Sequence, residues 1–367
     1  MIIRVVLPII LFLLIGCKEN QPTLSYQKAK NELFHYQGRF EVLQDNSVAL
    51  ISSGSSVSIN FSGNHCEVYL GSKYGPYNYV SMELDGQYLG RLKIESDSLK
   101  PHFIEVPSME KSHLLKIFKE SESSNGEVLF DGIIVEKVLP IKVVSKNYIE
   151  FIGNSVTCGA AADASETPCG TGNYFDQQNV YFSYGPRVAR ALNVDFMLSS
   201  VSGIGIYRNW NDENKEEPIM PQVYENLYLN IDSSKKYDFS IKPNIVSICL
   251  GTNDLSNGDG IKPRLFFNKE KFVANYIDFV KTVYKHYPDT KIVLLNSPMI
   301  IGETNELLIS CLKEVQDYFT INTDKKIIMF ELNKAYNSGC SSHPNVEEHN
   351  EIAEKLIPFF KKIINNK

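Results

Sequence analysis

The stretch YIEFIGNSVTCG, residues 148–159, decides the fold of the C-terminal part of the chain. Its first part, Tyr148–Ile152, is a largely apolar run typical of a buried strand, and Ser155 follows in a turn bounded by Gly153 and Gly159. A serine at the carboxyl end of a strand is presented at the sheet edge where α/β enzymes bind ligands, with backbone N–H groups that can meet an anion. Ser155 is therefore a candidate nucleophile, although Gly and Ser are also common in ordinary tight turns.

The sequence after residue 146 alternates between strand-like and helix-like segments. Ile245–Leu250 and Lys291–Leu295 are apolar runs typical of buried strands, whereas Tyr184–Leu192, Lys269–His286 and Val346–Ile364 have the pattern of helices. Strands that alternate with helices favour a parallel sheet joined by crossover helices. Residues 146–367 are thus predicted to form one α/β domain.

The preceding region, residues 31–140, has a different pattern. Short runs of alternating apolar and polar residues are separated by turn residues, and Asp85-Gly86 between Tyr79–Leu84 and Gln87–Leu89 predicts a hairpin. This pattern predicts an all-β sandwich, with the boundary between the two domains near residues 138–146. A chain of 367 residues is also longer than one compact domain usually needs.

The N-terminus has the pattern of an export signal. Arg4 precedes the apolar run Val5–Ile15, which is too short to span a membrane, and Leu14–Cys17 resembles a bacterial lipobox, in which the cysteine becomes lipidated. Residues 1–17 would then be a lipoprotein signal peptide and residues 18–30 a tether; the alternative is an ordinary signal peptide or membrane anchor with a chance cysteine. We expect an exported lipoprotein, anchored to a membrane through Cys17, in the periplasm or at the cell surface.

Composition and cysteine spacing restrict the possible partners. The net charge is −6 and the Lys and Arg residues are scattered, so the chain offers no basic surface for nucleic acid. No CxxC or Cys/His cluster has zinc spacing, so we expect neither a metal nor another cofactor, and we expect a monomer. Export allows disulfides, for which Cys158 and Cys169 are the first candidates, while Cys249 is predicted to be a buried core thiol.

Three further blocks carry candidate site residues. Asn253, in Gly251–Asp254, follows a predicted strand and can donate a hydrogen bond to an oxyanion, and Gly203, in Ser202–Gly205, can bring a backbone N–H close to the same oxygen. His343 precedes Pro344 in a rigid loop before the last helix, where a general base could face a nucleophile from another strand. Each block alone is weak, because such turns more often cap helices or form plain loops.

In this order, the blocks resemble the SGNH hydrolase superfamily, also called GDSL-like esterases. The resemblance implies Ser155 as nucleophile, His343 as general base, and an oxyanion hole formed by Ser155, Gly203 and Asn253. The longer stretches Phe151–Gly159, Ser202–Asn209 and Gly339–Asn345 resemble carbohydrate esterase family two, in which a jelly-roll-like β-sandwich precedes a flavodoxin-like three-layer α/β/α domain. The resemblance to this family implies that the protein removes acetyl groups from polysaccharide and that it does so without a metal.

The chain departs from the family pattern around both reacting residues. Asn154 replaces the usual Asp before the nucleophile, and a neutral side chain there can still hydrogen-bond the turn. Near His343 the usual acid is absent, since Cys340 and Ser341 occupy its positions, so another acceptor, such as a backbone carbonyl, must orient the imidazole.

A third departure concerns substrate binding. Ser342 replaces a Trp that often precedes this His, which removes an expected aromatic platform for sugar. Tyr207 or Trp210, the only tryptophan, could substitute for it.

The expected function is that of a serine esterase that removes O-acetyl groups from acetylxylan or a related glycan. Two alternatives stay open at this point. One is a non-catalytic glycan-binding lipoprotein on a decayed hydrolase scaffold, and the other is an esterase or thioesterase for another acyl group.

Overall fold

The computed structural model describes residues 23–106, 112–141, 145 and 147–365. The predicted signal peptide, the lipidation site Cys17 and residues 18–22 of the predicted tether lie outside the described residues. Within the described part of the chain, no helix is both long enough and apolar enough to cross a membrane.

The N-terminal domain consists of two antiparallel sheets of six strands each. One sheet has the order β3-β4-β11-β6-β9, with β1 paired to β11, and the other has the order β12-β5-β10-β7-β8, with β2 paired to β5. The strands are β1 (Ser25–Lys28), β2 (His35–Gln37), β3 (Phe40–Val42), β4 (Val48–Leu50), β5 (Ser56–Ser62), β6 (Glu67–Lys73), β7 (Asn78–Leu84), β8 (Gln87–Ile94), β9 (Lys100–Phe103), β10 (His113–Lys119), β11 (Glu127–Val135) and β12 (Lys137–Leu139). The predicted sandwich is thereby confirmed, and Ile59, Val68 and Phe130 are fully buried in its core.

The sandwich begins earlier than the sequence suggests. Residues 25–28, which were assigned to the tether, form β1 and pair with residues 132–135 of β11 in antiparallel register. The tether prediction is therefore wrong for these residues, because a partner strand more than one hundred residues away in the chain takes up their backbone hydrogen bonds.

The C-terminal domain contains a parallel sheet of five strands in the order β14-β13-β15-β16-β17. This is the 2-1-3-4-5 order of flavodoxin-like folds, as expected. The strands are β13 (Tyr148–Gly153), β14 (Asp195–Ser200), β15 (Ile245–Cys249), β16 (Lys291–Leu295) and β17 (Ile328–Phe330). The helices are α1 (Ser155–Cys158), α2 (Tyr184–Leu192), α3 (Met220–Val223), α4 (Thr252–Leu255), α5 (Lys269–His286), α6 (Gly302–Asn322) and α7 (Val346–Asn365).

Helices cover both faces of this sheet, which gives three layers. Phe151 of β13 packs with α2 and α7 on one face, and the next residue, Ile152, belongs to the core that α5 and α6 form on the other. Successive side chains of a strand point to opposite faces, so a strand covered on both sides is apolar at almost every position. The largely apolar sequence of β13 follows from this arrangement, with the buried Glu150 as its one charged residue.

The two domains are joined by buried contacts. Phe118, at the end of β10, packs in the core of the C-terminal domain at ring distances of 5.6 Å from Tyr181 and 6.5 Å from Phe196. Arg39 is fully buried, and its guanidinium donates to Ser199 Oγ at 3.0 Å and to the carbonyl oxygen of Tyr224 at 2.9 Å. The sandwich is thus packed directly against the α/β domain.

Candidate active site

Ser155 lies in a tight turn at the carboxyl end of β13, at the start of α1. Asn154 caps this short helix, since its side-chain oxygen accepts the Val156 N–H at 3.3 Å. This confirms the expectation that a neutral side chain at position 154 still hydrogen-bonds the turn. Gly153 has no room for a side chain, because a Cβ there would lie 2.0 Å from Thr157 Oγ1. Gly159 ends the helix in the left-handed conformation, with φ of 67°. The spacing of the Gly-x-Ser-x-Thr-x-Gly turn follows from these constraints.

His343 faces Ser155 across the carboxyl edge of the sheet. Its Nε2 lies 2.9 Å from Ser155 Oγ, and its Nδ1 lies 3.0 Å from the carbonyl oxygen of Ser341. Only a protonated Nδ1 can donate to a carbonyl, so this bond leaves Nε2 of the neutral imidazole as the acceptor for the serine hydroxyl. Burial lowers the pKa of His343 below its ordinary value, although the carbonyl oxygens of Ser341 and Cys340 act in the opposite direction. A neutral imidazole is the form that a general base needs.

The loop that carries His343 is held by a disulfide and a backbone hydrogen bond, and it contains strained backbone. Cys340 is bonded to Cys169, with the two Cα atoms 5.2 Å apart, and its N–H donates to the carbonyl oxygen of Ala161 at 2.9 Å. Ser341 and Ser342 both have left-handed backbone, with φ of 51° and 56°. A non-glycine residue pays for this conformation, and the surrounding contacts must enforce it.

The predicted pairing of Cys158 with Cys169 is wrong. The Cys158 thiol is buried below the turn of Ser155 and contacts Ser200 Oγ at 3.2 Å, so it points away from the loop of Cys169. Cys249 is a free, buried thiol, as predicted.

The structure brings Gly203 and Asn253 to the same edge of the sheet as Ser155. Gly153, Ser200 and Cys249 stand side by side in the register of β13, β14 and β15, and the three predicted residues follow these strand ends. Asn253 Nδ2 donates to the carbonyl oxygen of Ile204 at 2.8 Å, which ties the two loops together. Gly203 has φ of 77°, and a Cβ there would meet nothing closer than 4.0 Å. Glycine is required at 203 by the backbone conformation and not by lack of space.

Asp254 fixes the loop that follows Gly203, although it was not among the predicted site residues. Its carboxylate accepts the backbone N–H groups of residues 206–208 at 2.9 to 3.3 Å, and it is fully buried. Burial raises the pKa of Asp254 to about 6, against the opposing effect of these hydrogen bonds. The sequence did contain a signal for this role, since Asp254 directly follows Asn253 near the end of a buried strand. A carboxylate buried there needs hydrogen-bond donors, which backbone N–H groups can supply.

The two proposed aromatic platforms differ in accessibility. Tyr207 is only 3% exposed, and its hydroxyl accepts the Asn268 N–H at 3.1 Å within the core, so it offers no face to a sugar. Trp210 is 47% exposed, and its backbone N–H donates to the carbonyl oxygen of Gly203 at 2.8 Å. Of the pair, only Trp210 has an exposed ring, and its contact with a substrate stays a prediction.

Tyr174 stands beside the reacting residues and was not predicted from the sequence. Its ring lies 6.3 Å from that of His343 at a steep angle. Burial of its hydroxyl and the nearby Glu122 carboxylate raise its pKa, while the hydroxyls of Ser202 and Ser155 lie close enough to act in the opposite direction. Its loop has no secondary-structure pattern, so only the cysteine at position 169 hinted that this region meets the site.

Comparisons with known proteins identify relatives of both domains. A family model described as GDSL-like Lipase/Acylhydrolase matches residues 149–356, and one described as Carbohydrate esterase 2 N-terminal matches residues 36–141. The cellulase/esterase CelE of Acetivibrio thermocellus is 31% identical over 337 residues, which are 89% of this chain and 39% of that relative. The chain therefore spans well under half of the length of CelE.

Two further relatives match over their whole length. An acetylxylan esterase / glucomannan deacetylase of Cellvibrio japonicus is 23% identical over 373 residues, covering 98% of this chain and 99% of the relative. The structure of a family two carbohydrate esterase from Clostridium thermocellum in complex with cellohexaose superposes with a TM-score of 0.79 at 29% identity, covering 90% of this chain and 99% of that one. The chain therefore belongs to the GDSL-like lipase/acylhydrolase family and has the two-domain arrangement of the family two carbohydrate esterases.

Proposed function

We propose that the chain is a serine esterase that removes O-acetyl groups from a polysaccharide such as acetylxylan. The observation that carries the proposal is the chain of two hydrogen bonds from Ser155 Oγ through the His343 imidazole to the Ser341 carbonyl, at 2.9 and 3.0 Å. Such a chain activates a serine hydroxyl for attack on an ester. The carbohydrate substrate is supported by relatives described as acetylxylan esterases and glucomannan deacetylases.

In the acylation step, His343 Nε2 takes the proton of Ser155 as Oγ bonds to the acetyl carbonyl carbon. The bond from that carbon to the sugar oxygen then breaks, and His343 returns the proton to the departing sugar hydroxyl. In the deacylation step, His343 takes a proton from water as the water oxygen bonds to the acetyl carbon. The bond from that carbon to Ser155 Oγ then breaks, His343 returns the proton to Oγ, and acetic acid leaves and ionises. Each half of the reaction needs one proton acceptor and one donor, and His343 supplies both.

The negative oxygen formed in each half requires hydrogen-bond donors. We assign this role to the N–H groups of Ser155 and Gly203 and to the side-chain amide of Asn253. The Gly203 N–H has no acceptor among the described residues, which leaves it available. Donors fixed before the reaction stabilise the oxyanion more than water does, because they need no reorganisation.

The test is acetate release from acetylated xylan and glucomannan, and hydrolysis of 4-nitrophenyl acetate, by the wild-type protein and Ser155→Ala. The wild type should release acetate and the variant should lose essentially all turnover, while its melting temperature stays close to that of the wild type. A series of longer 4-nitrophenyl esters measures acyl preference, and a faster rate on long chains than on acetyl would contradict the proposed substrate. Equal turnover by both proteins would rule out Ser155 as the nucleophile.

We also propose that the chain is exported and lipidated at Cys17. The proposal rests on the sequence of residues 1–17 and is supported by the Cys169–Cys340 disulfide, since such bonds persist in oxidising compartments. Metabolic labelling with a radioactive fatty acid in a bacterial host should label the wild type and not Cys17→Ala. Equal labelling of both proteins would contradict lipidation at this residue.

A further inference from the structure

The segment that follows β10 carries the sandwich domain to the edge of the active site. Lys119 is fully buried, and its Nζ donates to the carbonyl oxygens of Ser121 and Glu122, each at 2.7 Å. Ser121 Oγ donates in turn to the side-chain oxygen of Asn78. These bonds fold residues 119–122 into a fixed turn, whose acidic side chains point into the α/β domain.

Glu122 contacts the residue directly before Gly203. One oxygen of its carboxylate accepts the Ser202 N–H at 2.6 Å, and the other accepts the Ser202 hydroxyl. Glu122 is only 4% exposed, so both bonds form away from water. Hydrogen bonds to a buried carboxylate are short and strong, and they hold the donating peptide in one orientation.

The loop of Gly203 is fixed from two sides. Glu122 holds the Ser202 N–H, and Asn253 Nδ2 holds the Ile204 carbonyl at 2.8 Å. The Gly203 carbonyl accepts the Trp210 N–H at 2.8 Å. The N–H of Gly203 itself has no acceptor among the described residues. The fixed peptides on either side of Gly203 set the direction in which this N–H points.

We propose that Glu122, a residue of the sandwich domain, is a positioning residue for the oxyanion hole, which it orients through Ser202 and Gly203. The inference rests on the proposed function and extends it, because the sandwich then contributes a residue that shapes the active site. Glu122 does not touch the reacting atoms, so its contribution should appear in the rate of the chemical step and not in substrate binding.

The chain offers a matched control in Glu120. This residue lies in the same turn and is equally buried, and its carboxylate accepts the backbone N–H groups of Val180 and Tyr181, but it does not contact Ser202. Glu120→Leu and Glu122→Leu each leave buried donors without an acceptor, so both should lower the melting temperature. Only Glu122→Leu should lower kcat for 4-nitrophenyl acetate, by about 10- to 100-fold. This loss is smaller than that expected from removing an oxyanion donor outright, because the Gly203 N–H is misdirected and not removed.

Two further measurements separate positioning from a general loss of structure. KM of Glu122→Leu should stay within about threefold of the wild type, and its affinity for a boronic acid that bonds to Ser155 as a tetrahedral adduct should fall in step with kcat. Glu122→Gln should recover most of the activity, because an amide oxygen can still accept the Ser202 N–H. If Glu122→Leu does not fold, Glu122→Asp against Glu120→Asp gives the same comparison, since the shortened carboxylate cannot keep both bonds to Ser202.

Wild-type kcat in Glu122→Leu, or an equal loss of kcat in the Glu120 variant, would overturn the positioning role while leaving the proposed function intact. The proposed function itself fails on a different result, namely equal turnover by the wild type and Ser155→Ala. That result would overturn both.

Discussion

The carbonyl oxygen of Ser341 lies 3.0 Å from His343 Nδ1 and occupies the place where an acid usually orients the base. A carbonyl fixes the tautomer of the imidazole as a carboxylate does, but it brings no full negative charge to stabilise the imidazolium. The pKa of His343 is therefore governed by burial, which favours the neutral ring.

This relationship predicts the pH dependence of the reaction. Burial holds the pKa of His343 below its ordinary value of 6.5, and the neutral imidazole is the active form, so kcat/KM should stay high as the pH falls to 6.5 and decline only below it. The measurement is kcat/KM for 4-nitrophenyl acetate from pH 4 to 9, corrected for spontaneous hydrolysis.

Burial also brings the pKa values of Asp254, Lys119 and Glu120 close to this range, so the profile needs a control. Burial raises the pKa of Glu120 to about 7, so the profile should be repeated with Glu120→Gln, which should keep the same acidic limb. An acidic limb above pH 7 in both proteins would contradict a pKa of His343 below its ordinary value.

The disulfide between Cys169 and Cys340 should matter for catalysis as well as for stability. Cys340 directly precedes Ser341, so loss of the bond frees the carbonyl that orients His343. The double variant Cys169→Ser/Cys340→Ser should lose roughly 3–5 kcal/mol of unfolding free energy, because the bond closes a long loop. It should also lose about tenfold in kcat at a temperature where it is still folded, since misplacing a catalytic group by a fraction of an ångström has effects of this order.

Cys311→Ser is the control for this pair, because Cys311 is a free, buried thiol in α6. It should keep the wild-type kcat. A double variant that loses stability but keeps full kcat in its folded range would show that the disulfide only holds the chain together.

The sequence allows the prediction that the site residues meet, because parallel strands place their carboxyl ends at one edge of the sheet. Ser155, Gly203 and Asn253 each follow a strand, and β13, β14 and β15 are neighbours in the sheet. The apolar runs predicted β13 and β15 but not β14, so the place of Gly203 was suggested only by the resemblance to the SGNH hydrolases. The bounds of α5 agree with the predicted helix residue for residue.

Contacts that depend on how distant loops fold could not be predicted in the same way. Cys158 and Cys169 are close in the sequence, yet the turn of Ser155 directs the Cys158 thiol into the core, where it cannot meet another loop. The Glu122 contact depends on how two domains pack, and β1 depends on a partner strand far along the chain. Neither relationship leaves a periodic signal, because local pattern reports the face of an element and not its long-range partner.

Gly203 allows the effect of backbone strain to be separated from the effect on the oxyanion. Gly203 and Gly260 have nearly the same φ, 77° and 75°, and a Cβ would meet no atom within 4 Å at Gly260 and only one at 4.0 Å at Gly203. Alanine should cost about 1–2 kcal/mol of stability at either position because L residues disfavour this conformation. Only Gly203→Ala should also lower kcat, by about tenfold or more, as the backbone moves to relieve the strain and turns the proposed donor away. Equal kcat in the two variants would argue against the Gly203 N–H as a donor.

The side-chain amide of Asn253 has two roles, and replacing this residue should remove both. Its Nδ2 holds the Ile204 carbonyl at 2.8 Å and, in the proposed mechanism, also donates to the oxyanion. Asn253→Ala should therefore lower kcat by about 10²- to 10³-fold with little change in KM, and Asn253→Asp should lose at least as much, because a carboxylate repels the developing charge. Thr252→Ala is the control, since Thr252 contacts Ser297 and not the loop of Gly203, and it should keep nearly full activity. If Asn253→Ala kept more than half of the wild-type kcat, the oxyanion would have to be held by backbone N–H groups alone.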